Sequence, residues 1–184
     1  MQPTRQQALD LAFEWVKSES LRKHLLAVEA AMRAYATKYG EDPEIWGITG
    51  LLHDFDYEKF PSEQQHPFEG VKKLRELEYP EEITQAILGH ALYSGVPRAS
   101  NMAKALFACD ELCGFVVACA YVRPDKLQGL EAPSVIKKLK TKTFAEKVSR
   151  SDIDLGIKEL GVDKSEHINF IIQALQGISR ELGF

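Results

Sequence analysis

Five residues spread over less than half of the chain have the side-chain types and placement to hold a divalent ion: His24, His53, Asp54, His90 and Asp110. Imidazole and carboxylate donors suit Fe, Mn, Co, Ni or Zn better than a thiol-seeking ion. An ion held in this way lowers the pKa of water and yields a nucleophile near neutral pH. It also offsets the negative charge that gathers on an oxygen as a bond breaks.

Each position has a plainer reading beside this one. His24 shares a helix face with Val28, Ala31 and Tyr35, and a histidine on an apolar face is, taken alone, a hydrogen-bonded core residue. His90 repeats the pattern after Ile83, Ala86 and Ile87. Asp110 is sharper, because it continues the stripe Met102, Leu106, Cys113 and Val117. A carboxylate on the inner face of an apolar helix is costly to bury unless it is paired or metal-bound. Glu111 falls toward a different face, where it is solvated or pairs with a lysine. His53 and Asp54 are adjacent, so on a continuing helix they would point about 100° apart. Both reach one ion only where the helix ends. Inward polar side chains on three helices, plus a His-Asp pair at a helix end, suit an ion held inside a helical bundle.

The elements that must position these residues are legible from caps and periodicity. Thr4 with Gln7 forms a capping-box pattern ahead of Ala8, Leu11, Ala12, Trp15 and Val16. Ser20 is the expected cap of a second helix with Leu21, Leu25, Val28, Met32 and Tyr35 inward, stopped at Gly40. Asp42-Pro43 starts a third helix, which carries Ile45, Ile48 and Leu52 and ends near His53-Asp54. Residues 55–66 read as a polar loop. Pro67 and Pro80 each start a further helix, and a long apolar helix runs over 102–121. Helical patterns continue over 134–147, 152–160 and 166–182. No alternating strand pattern occurs. The expected fold is all-α, with eight or nine helices.

Composition bounds the function. A chain of 184 residues with 45% apolar and 27% charged residues is an ordinary globular domain. The net charge of −4 argues against a general binder of nucleic acid or membranes. Charge is uneven, however. Residues 123–150 carry a local +5, leaving −9 elsewhere, and Lys137, Lys138, Lys140 and Lys142 dominate the basic part. That segment is either a solvated helix face or an anion-attracting rim. The first ten residues lack the apolar core of a secretory signal, and the longest apolar stretch, 114–122, is half the length needed to span a bilayer. Cys109, Cys113 and Cys119 are too few for a zinc site and read as reduced core thiols of a cytoplasmic protein. His167 lies outside the ordered set and is expected to be structural or at the surface.

Taken in order, His24, His53-Asp54, His66, His90 and Asp110 resemble the metal site of the HD-domain superfamily of metal-dependent phosphohydrolases. The stretches LLHDFDYEKF and ALFACDELCGF are similar to its small stand-alone members. The resemblance covers about residues 20–125 and implies a single HD-domain-like helical bundle over 1–184, with 126–184 as a C-terminal helical extension. It implies His24, His53, Asp54 and Asp110 as the common metal ligands. His66 and His90 match the extra ligands of the dinuclear branch, in which Asp54 would bridge, so one or two ions are expected. His66-Pro67-Phe68-Glu69-Gly70 is similar to that branch's His-x-x-x-Gly segment.

One departure stands out. Phe55-Asp56 replaces the Ile-Gly of the common His-Asp-Ile-Gly version. Asp56, Glu58 and Lys59 therefore stand in positions open to supporting or substrate-binding roles. Lys59 is either a positive charge near a leaving oxygen or a solvated loop lysine. The activity implied is hydrolysis of a small phosphorylated molecule, a nucleotide foremost, by metal-activated hydroxide attack on phosphorus, with Asp54 and Lys59 as the catalytic residues. Two alternatives remain open. Some proteins with the same six-ligand set are di-iron oxygenases that cleave C–C or C–P bonds, and a non-catalytic metal-dependent binding module is the other. The expected partner is the small substrate, with no long nucleic acid and no membrane. The apolar helix at 166–182 is the candidate homodimer interface.

Overall fold

Capping side chains set where the helices begin. The computed structural model describes residues 3–184. Thr4 caps α1 (Arg5–Trp15) through the reciprocal bonds with Gln7 expected of a capping box. The second helix, α2 (Glu19–Tyr39), is capped by Ser18 rather than Ser20: Ser18 Oγ accepts the Leu21 N–H, and Gly40 ends the helix at φ 70°. Asp42 Oδ1 accepts the Glu44 N–H to start α3 (Pro43–Leu52), with His53 as its last half-helical residue.

The 55–66 segment is a run of turns. After it come α4 (Phe68–Glu76), α5 (Glu81–His90), a three-residue 3-10 turn (Leu92–Ser94) and the long α6 (Asn101–Tyr121). The chain continues through α7 (Ala132–Leu139), α8 (Arg150–Leu160) and α9 (Lys164–Gln176). Among the described residues these nine helices account for the regular structure, and there is no strand. None of these helices is long and apolar enough to cross a membrane.

Two elements run through the middle. The α2 helix packs against α3, α6 and α9, while α6 packs against α2, α5, α8 and α9. One hydrophobic core, from Ala8 to Leu182, contains Leu25, Met32, Ile48, Leu106, Phe115 and Ile171 with almost no exposure. Cys109, Cys113 and Cys119 are unpaired thiols within it. Two glycines let backbones approach closely. A Cβ on Gly50 would lie 2.9 Å from the carbonyl oxygen of Val28, so α3 can touch α2 only with glycine there. A Cβ on Gly156 would lie 2.7 Å from Cα of Ala108, which sets α8 directly against α6.

The C-terminal third departs from its sequence pattern in two places. The helix expected over 134–147 stops at Leu139. Beyond it the Arg150 guanidinium donates to the carbonyls of Thr141, Phe144, Ala145 and Val148, so those acceptors are taken by a side chain instead of a helix ladder. The helix expected over 166–182 runs from Lys164 to Gln176, and its stripe Ile168, Ile171, Ile172 and Leu175 is buried within the chain. That stripe serves the core of the chain itself.

Candidate metal centre

The six candidate ligands arrive from five places. His24 lies in α2, His53 and Asp54 end α3, and His66 closes the turns before α4. His90 is the last residue of α5, and Asp110 sits in the middle of α6. They meet as two groups that share Asp54: His24, His53, Asp54 and Asp110 form one, and Asp54, His66 and His90 the other.

In the first group, Asp110 Oδ1 lies 3.0 Å from His24 Nε2 and 3.2 Å from His53 Nε2. The two Nε2 atoms are themselves 3.2 Å apart. Asp54 Oδ2 stands 3.6 Å from His53 Nε2 and 4.0 Å from His24 Nε2. In the second group, Asp54 Oδ1 is 3.2 Å from His66 Nε2 and 3.1 Å from His90 Nε2.

These separations test whether an ion fits. An ion about 2.1 Å from each donor holds neighbouring donors about 3 Å apart. The observed 3.0–3.2 Å contacts have that spacing. Two imidazole nitrogens facing each other at 3.2 Å can share one hydrogen, or can both turn their lone pairs to a cation between them. The donor set, all nitrogen and oxygen, suits a borderline divalent metal. The cluster can therefore hold a metal ion.

Three of the four histidines are aimed by their other nitrogen. His53 Nδ1 donates to the Gly50 carbonyl at 2.7 Å, and His90 Nδ1 donates to the Ile87 carbonyl. His66 Nδ1 donates to Asp56 Oδ1 at 2.7 Å. With Nδ1–H fixed, Nε2 is the atom free to exchange a proton for an ion. Asp56 is fully buried, and its second oxygen accepts the Gly70 N–H at 2.7 Å. It is a supporting residue, held by the chain that follows His66.

The charges are mutually dependent. Burial opposes the positive charge on His53, yet Asp54 and Asp110 outweigh it and raise its pKa to about 9. His66 likewise reaches about 9, against burial, through Asp54 and Asp56. Burial pushes the Asp54 and Asp110 carboxyls up, but the facing imidazoles, His53 first, hold both well below the usual carboxylate range. The two carboxylates keep 18% and 17% of their side-chain surface exposed, whereas His53 has none. The donor set is thus closed from behind and open on the carboxylate side.

That side faces a cleft of 670 Å³, lined by Tyr57, Glu63, Tyr93, Phe107, Glu111 and Val148 among others. Glu111 is partly buried in its wall and accepts the Ser149 N–H at 3.1 Å. Burial first and the Asp110 charge second push its carboxyl up to about 7. Lys59 is not among the residues lining the cleft. Its ammonium lies over the Trp15 ring, 4.0 Å from the centroid, so the structure does not bring it to the cluster. Glu58 instead accepts the N–H groups of Lys17 and Ser18, tying the turns to the start of α2. The 123–150 lysines do not line the cleft either.

Sequence reasoning did not foresee that Tyr57, Tyr93, Val148 and Asp152 shape the cleft. They carry no periodic or spacing signal and come from turns or from the C-terminal third. His167 is fully accounted for in the core: it accepts from the Tyr35 hydroxyl at Nδ1 and donates to the Ala108 carbonyl at 3.0 Å from Nε2.

No curated protein and no solved structure matches the chain. A family model, the HD domain, matches residues 21–113, half of the chain and a span that contains all six candidate ligands. With an all-helical fold, an ordered His, His-Asp, His, His, Asp set and a cluster able to hold a metal, the chain belongs to the HD-domain family.

Proposed function

We propose that the chain is a metal-dependent phosphohydrolase acting on a small phosphorylated molecule, with a nucleotide as the leading substrate class. The observation that carries this reading is the division of Asp54 between two donor groups, Oδ2 toward His24 and His53 and Oδ1 toward His66 and His90. Such a carboxylate suits a centre of two ions. His24, His53, Asp54 and Asp110 would hold one, and Asp54, His66 and His90 the other. When bound, the ions supply Lewis acidity toward phosphoryl oxygens and a water of lowered pKa.

The chain's own residues do the remaining work. Asp54 stays ionised across the physiological range, because its imidazole partners depress its pKa. Asp56 holds the His66 ring by its Nδ1–H, so that Nε2 keeps its aim. Burial, with the Asp54 charge second, raises the Tyr93 phenol to about 12, so its hydroxyl keeps a proton to donate to a substrate oxygen in the cleft. The packed chain behind the cluster leaves the His53 side chain no exposed surface, which keeps bulk water from that side of the donor set.

The test is phosphate release from 4-nitrophenyl phosphate and from nucleoside monophosphates, with Mn²⁺ or Co²⁺ under nitrogen. Turnover is expected, and Asp54→Ala abolishes it while helicity is retained. Turnover that demands iron and O₂ replaces this reading with the oxygenase. Tight metal binding without turnover in either atmosphere replaces it with a binding module.

A further inference from the structure

The sign of the charge around the cleft selects what can enter it. Apart from the candidate ligands, the charged side chains lining it among the described residues are Glu63, Glu111 and Asp152. No lysine or arginine lines it. Two basic groups of the 123–150 segment are engaged elsewhere. The Arg150 guanidinium serves the 141–148 carbonyls and lies over the Phe115 ring at 4.8 Å, and Lys138 lies over the Phe144 ring at 4.6 Å.

Sites that hold chains of phosphates use arginine and lysine to do so. Here bound ions would serve a single phosphoryl group, and no lysine or arginine lines the cleft to hold a second. Glu63 and Asp152 would repel it. A cleft of 670 Å³ is the size of one small ligand, so a ligand that fills it meets these lining carboxylates. The apolar side of the cleft favours a ring. Tyr57 and Tyr93 leave 46% and 44% of their surface open, and the Tyr57 ring stands edge-on to His66 with centroids 5.2 Å apart. A flat group that stacks there is held next to the second donor group.

We infer that the cleft takes a phosphomonoester whose negative charge is confined to the reacting phosphoryl group and whose ring-bearing remainder is uncharged or cationic. Nucleoside di- and triphosphates, and esters with an acidic far end, are excluded. Only the identity of the reacting end rests on the phosphohydrolase reading.

The probe is a set of 4-substituted benzylphosphonates, which are not turned over, titrated calorimetrically into the Mn²⁺-loaded protein. The 4-methyl and 4-aminomethyl compounds are expected to bind at least about tenfold more tightly than the 4-carboxy compound. In the unmodified protein that gap closes as salt rises. It also narrows in Glu63→Gln combined with Asp152→Asn. Equal affinity for the 4-carboxy compound, a gap insensitive to salt, or no phosphonate bound at all overturns the inference. Selective binding without phosphate release from any ester overturns the phosphohydrolase reading and leaves this one standing.

Discussion

Asp56 takes the Nδ1–H of His66 at 2.7 Å while His66 Nε2 faces Asp54 at 3.2 Å, so one buried carboxylate aims the ring that another carboxylate awaits. Outer partners of this kind typically change metal affinity about 10–100-fold when altered. Asp56→Asn is therefore expected to weaken one ion of two by that factor and to leave the other near its original affinity. His66→Ala is expected to remove that ion outright. Metal analysis after dialysis against graded free Mn²⁺ reads both. Two ions retained in His66→Ala would remove His66 from the ligand set.

The pH dependence of the chelated protein follows from the same pairs. His53 and His66 reach about 9 in the folded chain, against about 6.5 for a free imidazole. Their contribution to stability is full below about pH 6.5 and is lost as pH rises through 9. Asp54 and Asp110 are shifted downward, so their contribution is present above about pH 4 and is lost as pH falls. The chelated protein is expected to melt highest between about pH 4 and 6.5 and distinctly lower at pH 9.5. Metal opposes the alkaline loss, because each ion displaces protons from Nε2 atoms and binds more tightly as pH rises. Melting curves with and without Mn²⁺ check the sign. A chelated protein that melts higher at pH 9.5 than at pH 6 contradicts it.

Gly50 controls the distance between His24 and His53. Its Cβ would meet backbone atoms of α2, Val28 O at 2.9 Å and Glu29 N at 3.0 Å, which cannot rotate out of the way. Gly50→Ala is expected to cost about 1–3 kcal/mol through overpacking. It should also lower metal content in the group that contains both histidines. Denaturant unfolding and metal analysis read the two effects separately. A variant with normal stability and full metal would show that α2 and α3 can separate freely.

His24 and His167 show how far the sequence could be read. Both are histidines amid apolar helical patterns, and pattern alone does not tell them apart. What stands across from each decides: Asp110 for His24, and Tyr35 with the Ala108 carbonyl for His167. The ordered spacing with Asp110 supplied that information, because a carboxylate on an inner stripe demands a partner. Helix starts at Thr4 and Asp42 were legible because their caps are local. Ser18 caps α2 where Ser20 was expected, and its own N–H is held by Glu58, 40 residues away, a contact that no local pattern shows. The end of α7 was hidden for the same reason, as it depends on Arg150 reaching back to the preceding turn. Asp56 stood among open positions, but its tie to Gly70 is visible only once the chain has folded.

The close packing of Gly156 on Ala108 has a consequence for divergence. It seats α8 against the helix that carries Asp110, so Val148 and Asp152 line the cleft although both lie beyond the 21–113 match. Part of the cleft's lining therefore sits outside the stretch of chain that carries the candidate ligands. Substitutions around 148–152 can retune what the cleft admits while every candidate ligand stays in place, from outside the region that defines the family.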